Sequence, residues 1–300
     1  MINSKVKKHK EGVGEKFSLY TVIILILLIV YTVLLLIPLI WAMYTSLKPA
    51  DEFWDNILLP SSSPTLVNYS NALRLFYLRD PFNNVRQIYM GEMFLYSIVY
   101  SFGSALVATL SPCIMGYLTA KYPNKFSKAV TGLVIVCMIL PIVGSLPSEV
   151  QVAKALGIYN NLIASLVLKG HFLSMYFLVF QSIFKGIPNA FAEAAKIDGA
   201  SHFRVFVLIM LPLVKTTFFT VLLIRFIEFW NDYQTPLIYL PSFPTVARGL
   251  FAFNLSTENE IASVPGKLAG AMVMLLPILV VFVLFHKRLM GNLTMGGLKG

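Results

Sequence analysis

The sequence predicts an all-α membrane protein of six transmembrane helices with both termini on the cytoplasmic side. Three observations predict it. Hydrophobic residues make up 57% of the chain and charged residues only 13%, with a mean hydropathy of +0.74, more apolar than a soluble domain carries. The apolar residues gather into six runs separated by polar stretches. Lys and Arg are twice as frequent in the proposed inner segments as in the outer ones, the bias expected when basic loops resist translocation. A net charge of +10 would suit a nucleic-acid surface, but these charges lie in short loops between apolar segments, and membrane orientation explains them without nucleic acid.

Residues 1–18 form a basic tail without apolar character, and residues 19–290 form one transmembrane domain. The first span, about 19–44, exceeds the roughly 20 residues needed to cross a bilayer. No small-residue cleavage site comes after it, so the helix is retained, and Pro38 near its end is tolerated where neighbouring helices satisfy the freed carbonyl. Residues 45–92 form an outer polar loop containing Trp54, Pro60 and Pro64, with a glycosylation-type triplet at Asn68-Tyr69-Ser70. The second span, about 94–120, carries Gly103, Ser104, Gly116 and Ala120 as small residues for close helix contact. The third, about 129–146, contains Pro141 and is expected to be broken, and an outer turn at Leu156–Asn161 leads to the fourth, about 162–184. The fifth, about 203–229, has Pro212 as an expected kink, and after a second outer loop the sixth covers about 268–285, followed by a tail at 291–300. Cys113 and Cys137 both lie in apolar runs, with neither disulfide nor metal-ligand spacing.

The most informative stretch lies between spans four and five, in the inner loop 186–202. Phe191 to Ile197 is Ala-rich and amphipathic, Asp198-Gly199 stops that helix with Gly free to turn left-handed, and Ser201 can cap a second helix. The first of these helices is too short and too polar to enter a membrane. Its residues resemble the EAA loop of ABC-transporter permease subunits: Glu-Ala-Ala, three residues, Gly, nine residues, Ile, one residue, Leu-Pro. Glu193, Ala194, Ala195, Gly199, Ile209, Leu211 and Pro212 meet that pattern without departure. The resemblance implies an ATPase-coupling element built from Glu193, Ala194, Ala195, Asp198, Gly199, Ala200, Leu211 and Pro212, seated in a groove of a separate ATP-hydrolysing subunit.

Two further stretches resemble the carbohydrate-uptake, MalG-like branch of the same family. The ending GNLTMGGLKG is similar to that branch's Gly-Leu-Thr-Ala-Gly-Ala-Val-Lys-Gly tail, departing by an inserted Asn292 and by Met295, Gly297 and Leu298. It points to Thr294, Gly296 and Lys299 as tail residues reaching towards the ATPases. Trp230-Asn231 with Pro236-Leu237 is similar to a Trp-Asn pattern at the outer end of the fifth span. The resemblance implies a multi-pass subunit of a bacterial plasma-membrane importer for a sugar or oligosaccharide. Its partners would be a second homologous permease, two ATPase subunits, an extracellular or periplasmic solute-binding protein, and membrane lipid. The chain has no Gly-rich phosphate loop followed by Lys-Ser/Thr, no metal set and no nucleophile triad. It is therefore expected to be no enzyme by itself and to hold no cofactor, with ATP and Mg bound by the partner ATPases.

For the solute pathway, sugars call for aromatic faces and for amide or carboxylate partners. Glu228, Trp230, Asn231, Asp232 and Tyr233 supply both types, although Trp and Tyr at a helix end equally suit an interfacial aromatic belt. Lys169, His171, Arg225 and Glu228 are costly at membrane depth and must face the bundle interior or water. Either Arg225 or Lys169 pairs with Glu228 as structure, or the cations meet an anionic solute. A gradient-driven secondary transporter using Glu228 and His171 as proton carriers is the alternative, and it calls for inverted repeats that the sequence does not display.

Overall fold

The computed structural model describes residues 19–140, 144–255 and 263–293, with side chains described as far as residue 284. The basic tail and the tail residues Thr294, Gly296 and Lys299 lie outside the described residues. The chain is mostly helical. Three described helices are long and apolar enough to cross a membrane, or four if one bent pair is a single span.

Helix α1 (Leu19–Thr45) is a continuous run of Leu, Ile and Val through which Pro38 passes without ending the helix. In hydrocarbon every backbone group must be satisfied within the segment, which selects helix despite the β-branched residues. Nearly all its side chains are exposed. Two short helices, α2 (Glu52–Asp55) and α3 (Val67–Arg74), come next, and then an antiparallel hairpin that the all-helical expectation omits: β1 (Tyr77–Asp80) and β2 (Asn83–Tyr89). Its register pairs Tyr77 with Tyr89 and Leu78 with Ile88, with an irregularity between Arg79 and Asp80. The glycosylation-type Asn68 is buried, its amide donating to the carbonyls of Ser46 and Lys48 at 2.9 and 2.7 Å, so it presents no acceptor at the surface.

Helix α4 (Met90–Lys121) is the central rod. Ser97, Ser101, Ser104, Ala105 and Ala108 bury its small-residue face, and it packs most extensively against two later helices, α8 and α12. The chain continues through α5 (Lys125–Ile139), α6 (Leu146–Ala155), α7 (Leu162–Leu168) and α8 (Met175–Gly186). Gly116 permits the α4–α8 approach, since a Cβ there would lie 2.8 Å from the Phe180 Cβ and 2.9 Å from the Gln181 nitrogen. Gln181 then donates to Thr119 at 2.9 Å and to Thr131 at 2.8 Å, joining α8 to α4 and α5.

The expected third run is helical only as far as Ile139, because Leu140 precedes Pro141 and takes an extended conformation. The expected fourth span is interrupted between α7 and α8, so Lys169 and His171 lie in a break rather than within a continuous helix. After α9 (Ala190–Ile197) and α10 (His202–Val205), the chain makes a π-turn at Phe206–Met210 and the short α11 (Leu211–Leu213). It then bends by 80° into α12 (Lys215–Asn231). The break itself falls at Val214, two residues after Pro212, whose missing N–H acts on the ladder before it, where the π-turn lies. Helices α13 (Gln234–Tyr239) and α14 (Val246–Leu255) precede α15 (Val264–Leu293).

The interior divides into clusters. One gathers Tyr117, Phe180, Phe184, Phe206, Met210 and Phe218 near α9, and another gathers Tyr100, Ala153, Phe229, Tyr239 and Leu240 beside the middle of α4. A third packs Phe76, Ile88, Met93 and Phe253, seating the hairpin against α4 and α14. Beside it the buried Asp80 carboxylate accepts from Ser242 at 2.7 Å, and Asn160 donates to the same hydroxyl at 3.0 Å.

Candidate functional site

Two groups of predicted residues come together, one at the C-terminal end of α4 and one beside its middle, near Tyr100 and Val107. The first surrounds α9. This helix ends in a Schellman motif: the N–H of Ala200 donates to the Ala195 carbonyl at 2.9 Å and that of Gly199 to Lys196 at 3.0 Å. Gly199 closes the motif at φ +81°, the left-handed region that costs glycine least. Ser201 begins the next helix by accepting from the Arg204 N–H at 3.4 Å. Ala195 is buried against the aromatic cluster while Glu193, Ala194, Asp198 and Gly199 are exposed and Ala200 is half-buried. The exposed face is apolar as well as charged, with Ile197 at 86% and Phe203 at 74% exposure. Leu211 and Pro212 lie apart from this face, at the bend before α12.

Sequence reasoning missed what holds α9 in place. The Lys121 ammonium, at the end of α4, donates to the Ile187 carbonyl and to Asn189 Oδ1 at 3.0 Å. The adjacent Tyr122 hydroxyl meets His202 Nδ1 at 2.6 Å, and the Lys196 ammonium lies 5.5 Å over the Tyr122 ring. These are tertiary contacts, and no local pattern encodes them.

The second group surrounds the break after α7. Lys169 donates to Thr235 Oγ1 at 3.2 Å and stands 4.0 Å from the Asp232 carboxylate. Asp232 also accepts from the Tyr100 hydroxyl at 2.8 Å and from the Thr235 N–H at 3.0 Å. Glu228 is taken by Arg225, at 2.8 Å, and the guanidinium lies 4.6 Å over the Tyr176 ring. Both anticipated cations are thus paired, Arg225 with Glu228 and Lys169 with Asp232. Trp230 is 2% exposed, packed against Phe94 and Phe226, with its indole N–H donating to the Met274 carbonyl at 3.3 Å. Tyr233 stacks on Phe251 with centroids 4.6 Å apart, and Asn231 donates back to the Ile227 carbonyl at 2.8 Å.

Lys169 and His171 line a cavity of about 640 Å³ bounded by α6, α7 and α13. Ser148, Glu149, Thr235 and Tyr239 are among its other polar lining residues. Glu149 and Tyr239, outside the expected spans, hydrogen-bond to each other at 3.0 Å. Hydrogen bonds from Ser145 and then Tyr239 hold the Glu149 carboxyl below the ordinary carboxylate range. Burial, and after it the bond to Glu149, pushes the Tyr239 phenol up to about 12. Glu149 carried a readable signal in sequence, as a lone acid one helical turn after Ser145. The cavity can offer hydroxyl, carboxylate and ammonium groups together, a mixture suited to hydrogen-bonding a polar solute. Among the described residues no three His, Cys, Asp or Glu side chains gather so as to hold a metal ion.

Residues 113–293, more than half of the chain, match the family model described as binding-protein-dependent transport system inner membrane component. The chain is 25% identical to the trehalose transport system permease protein SugB of Mycobacterium tuberculosis (strain CDC 1551 / Oshkosh), over 88% of this chain and 93% of that one. It is 25% identical to the arabinooligosaccharides transport system permease protein AraQ of Bacillus subtilis (strain 168), covering 96% and 99%. It is 28% identical to the galactooligosaccharides transport system permease protein GanQ of the same strain, covering 92% and 94%. In fold it is similar to a chain of a bacterial ABC transporter involved in the import of the acidic polysaccharide alginate, with a TM-score of 0.71, 19% identity, and coverage of 89% and 95%.

Proposed function

The chain belongs to the family of binding-protein-dependent transport system inner membrane components, and from that premise we propose that it is the translocating subunit of an ATP-driven sugar or oligosaccharide importer. It is a component of the bacterial inner membrane, similar to sugar permeases of ABC importers. The proposed topology has six spans with both termini cytoplasmic, counting α5 and the interrupted α7–α8 unit as crossings alongside the longer helices. A second homologous permease would complete the pathway, a solute-binding protein would deliver the sugar, and two ATPase subunits would bind ATP and Mg.

The observation that carries this reading is α9. Eight residues long, it is too short to be stable as an isolated helix, yet its end is fully capped and its outer face is left open. Such an element suits insertion into a groove of a separate protein. ATP-driven closure of the ATPases would then displace α9, move the helices packed on it, and alternate access to a polar pathway that includes the cavity beside Lys169 and His171. The gradient-driven alternative draws little support from Glu228, which is engaged by Arg225.

Co-purification of the tagged chain from native membranes, with mass spectrometry of the retained proteins, tests the reading. Recovery of an ATPase, a second permease and a solute-binding protein is expected. Recovery of the chain alone or as a homo-oligomer would overturn it.

A further inference from the structure

We propose that Lys121 and Tyr122 form a two-point clamp on α9 and make α4 the rod that carries α9's displacement to the cavity end of the molecule. The inference rests on the proposed coupling role of α9. Lys121 holds the chain just ahead of α9, at the Ile187 carbonyl and Asn189 Oδ1, 3.0 Å away in the latter case. Tyr122 holds it just beyond the Schellman turn, through His202 Nδ1 at 2.6 Å. Two consecutive residues thus grip both ends of the helix, and the Lys196 ammonium over the Tyr122 ring adds a contact from its last turn. A load on α9 cannot tilt it freely about either end without passing to α4.

Ten residues in from its other end the same helix makes a second polar grip, the Tyr100 bond to Asp232, whose carboxylate faces Lys169. From Tyr122 to Tyr100 is about 33 Å at 1.5 Å per residue. Between the two grips α4 stays helical through Pro112, which is buried, and is held by close packing against α8 and α12, so it moves as a unit. Tyr122, Lys121 and His202 are positioning residues, acting on solute through α4.

The test uses the assembled importer in proteoliposomes, reading solute uptake per ATP hydrolysed at matched amounts of complex. Tyr122→Phe and His202→Ala are each expected to lower that ratio roughly fivefold, the size of one lost hydrogen bond, with the ATPase still retained. The double variant is expected to fall no further, because both changes break one contact. His202→Asn, whose amide can occupy the place of Nδ1, is expected to restore the ratio. Singles that leave uptake per ATP unchanged, a double variant that falls additively, or losses confined to the quantity of assembled complex would overturn the clamp. If the unsubstituted chain retains no ATPase, the coupling role fails and the clamp with it; a complex that assembles and hydrolyses ATP with an unaltered ratio in the variants removes the clamp alone.

Discussion

The Tyr100 hydroxyl donates to the Asp232 carboxylate at 2.8 Å, joining α4 to the residue that ends α12. Tyr100 is fully buried, and the same carboxylate compensates the Lys169 ammonium. Asp232→Ala therefore takes the carboxylate acceptor from a buried hydroxyl and the counter-ion from a half-buried cation, at a cost of about 2 kcal/mol. A fall in Tm of roughly 5 °C is expected for the purified chain, measured by intrinsic fluorescence, with Asp232→Asn about half as damaging. If Asp232 serves only the solute, Tm will stay where it is and uptake alone will drop.

At Gly199 the backbone rather than space limits substitution. A Cβ there meets nothing within 4 Å, but φ is +81°. Gly199→Ala should weaken the end of α9 by about 1 kcal/mol, Gly199→Asn by less because Asn tolerates the left-handed region, and Gly199→Val by more. Retention of the ATPase on affinity beads should decrease in the order Gly, Asn, Ala, Val. Equal retention by all four would show that the turn does not set the docking geometry.

Gly116 presents the opposite situation, since a methyl group would press on the Phe180 Cβ and the Gln181 nitrogen. Both are close to the backbone of α8 and cannot swing aside. Gly116→Ala is expected to cost ~2 kcal/mol by overpacking. The yield of folded protein in size-exclusion chromatography checks this, and a yield and Tm like those of the unsubstituted chain would mean that α4 and α8 can separate without penalty.

The Glu149–Tyr239 pair predicts a pH window. The Glu149 carboxyl is depressed, so its contribution is present above the unfolded value near 4.5 and fades as pH falls below it. The Tyr239 phenol is raised to about 12, so its contribution is complete below the ordinary value of 10.0 and fades as pH rises beyond that. Tyr239→Phe should flatten the fall in Tm on the alkaline side and soften it on the acid side. Superimposable Tm curves against pH would exclude the pair as a source of stability.

The loop around α9 was legible because its determinants are local: Asp198-Gly199 spells a helix stop and Ser201 a helix start, and both form as written. Helices α1, α4 and α15 were legible from hydropathy alone. The interruption at Lys169 was not, because Gly170 and two polar residues are easily absorbed by an apolar average over the neighbouring sequence. Neither was the hairpin, whose second strand is almost entirely exposed and so lacks an alternation of apolar and polar residues. In the polar cluster the residue types were readable but their partners were not. Lys169 finds Asp232 across a fold that only tertiary packing assembles.

Helix α1 touches the rest of the molecule chiefly through α15, and α3 leans on the same late helix. Among the described helices, the one made earliest thus finds its neighbour in the one made last. During biogenesis α1 would stand in the bilayer as a lone apolar rod, and the flank it belongs to would close only after Val264–Leu293 has been inserted. Nascent chains halted before residue 264 should therefore keep α1 accessible to lipid and to membrane chaperones until α15 arrives.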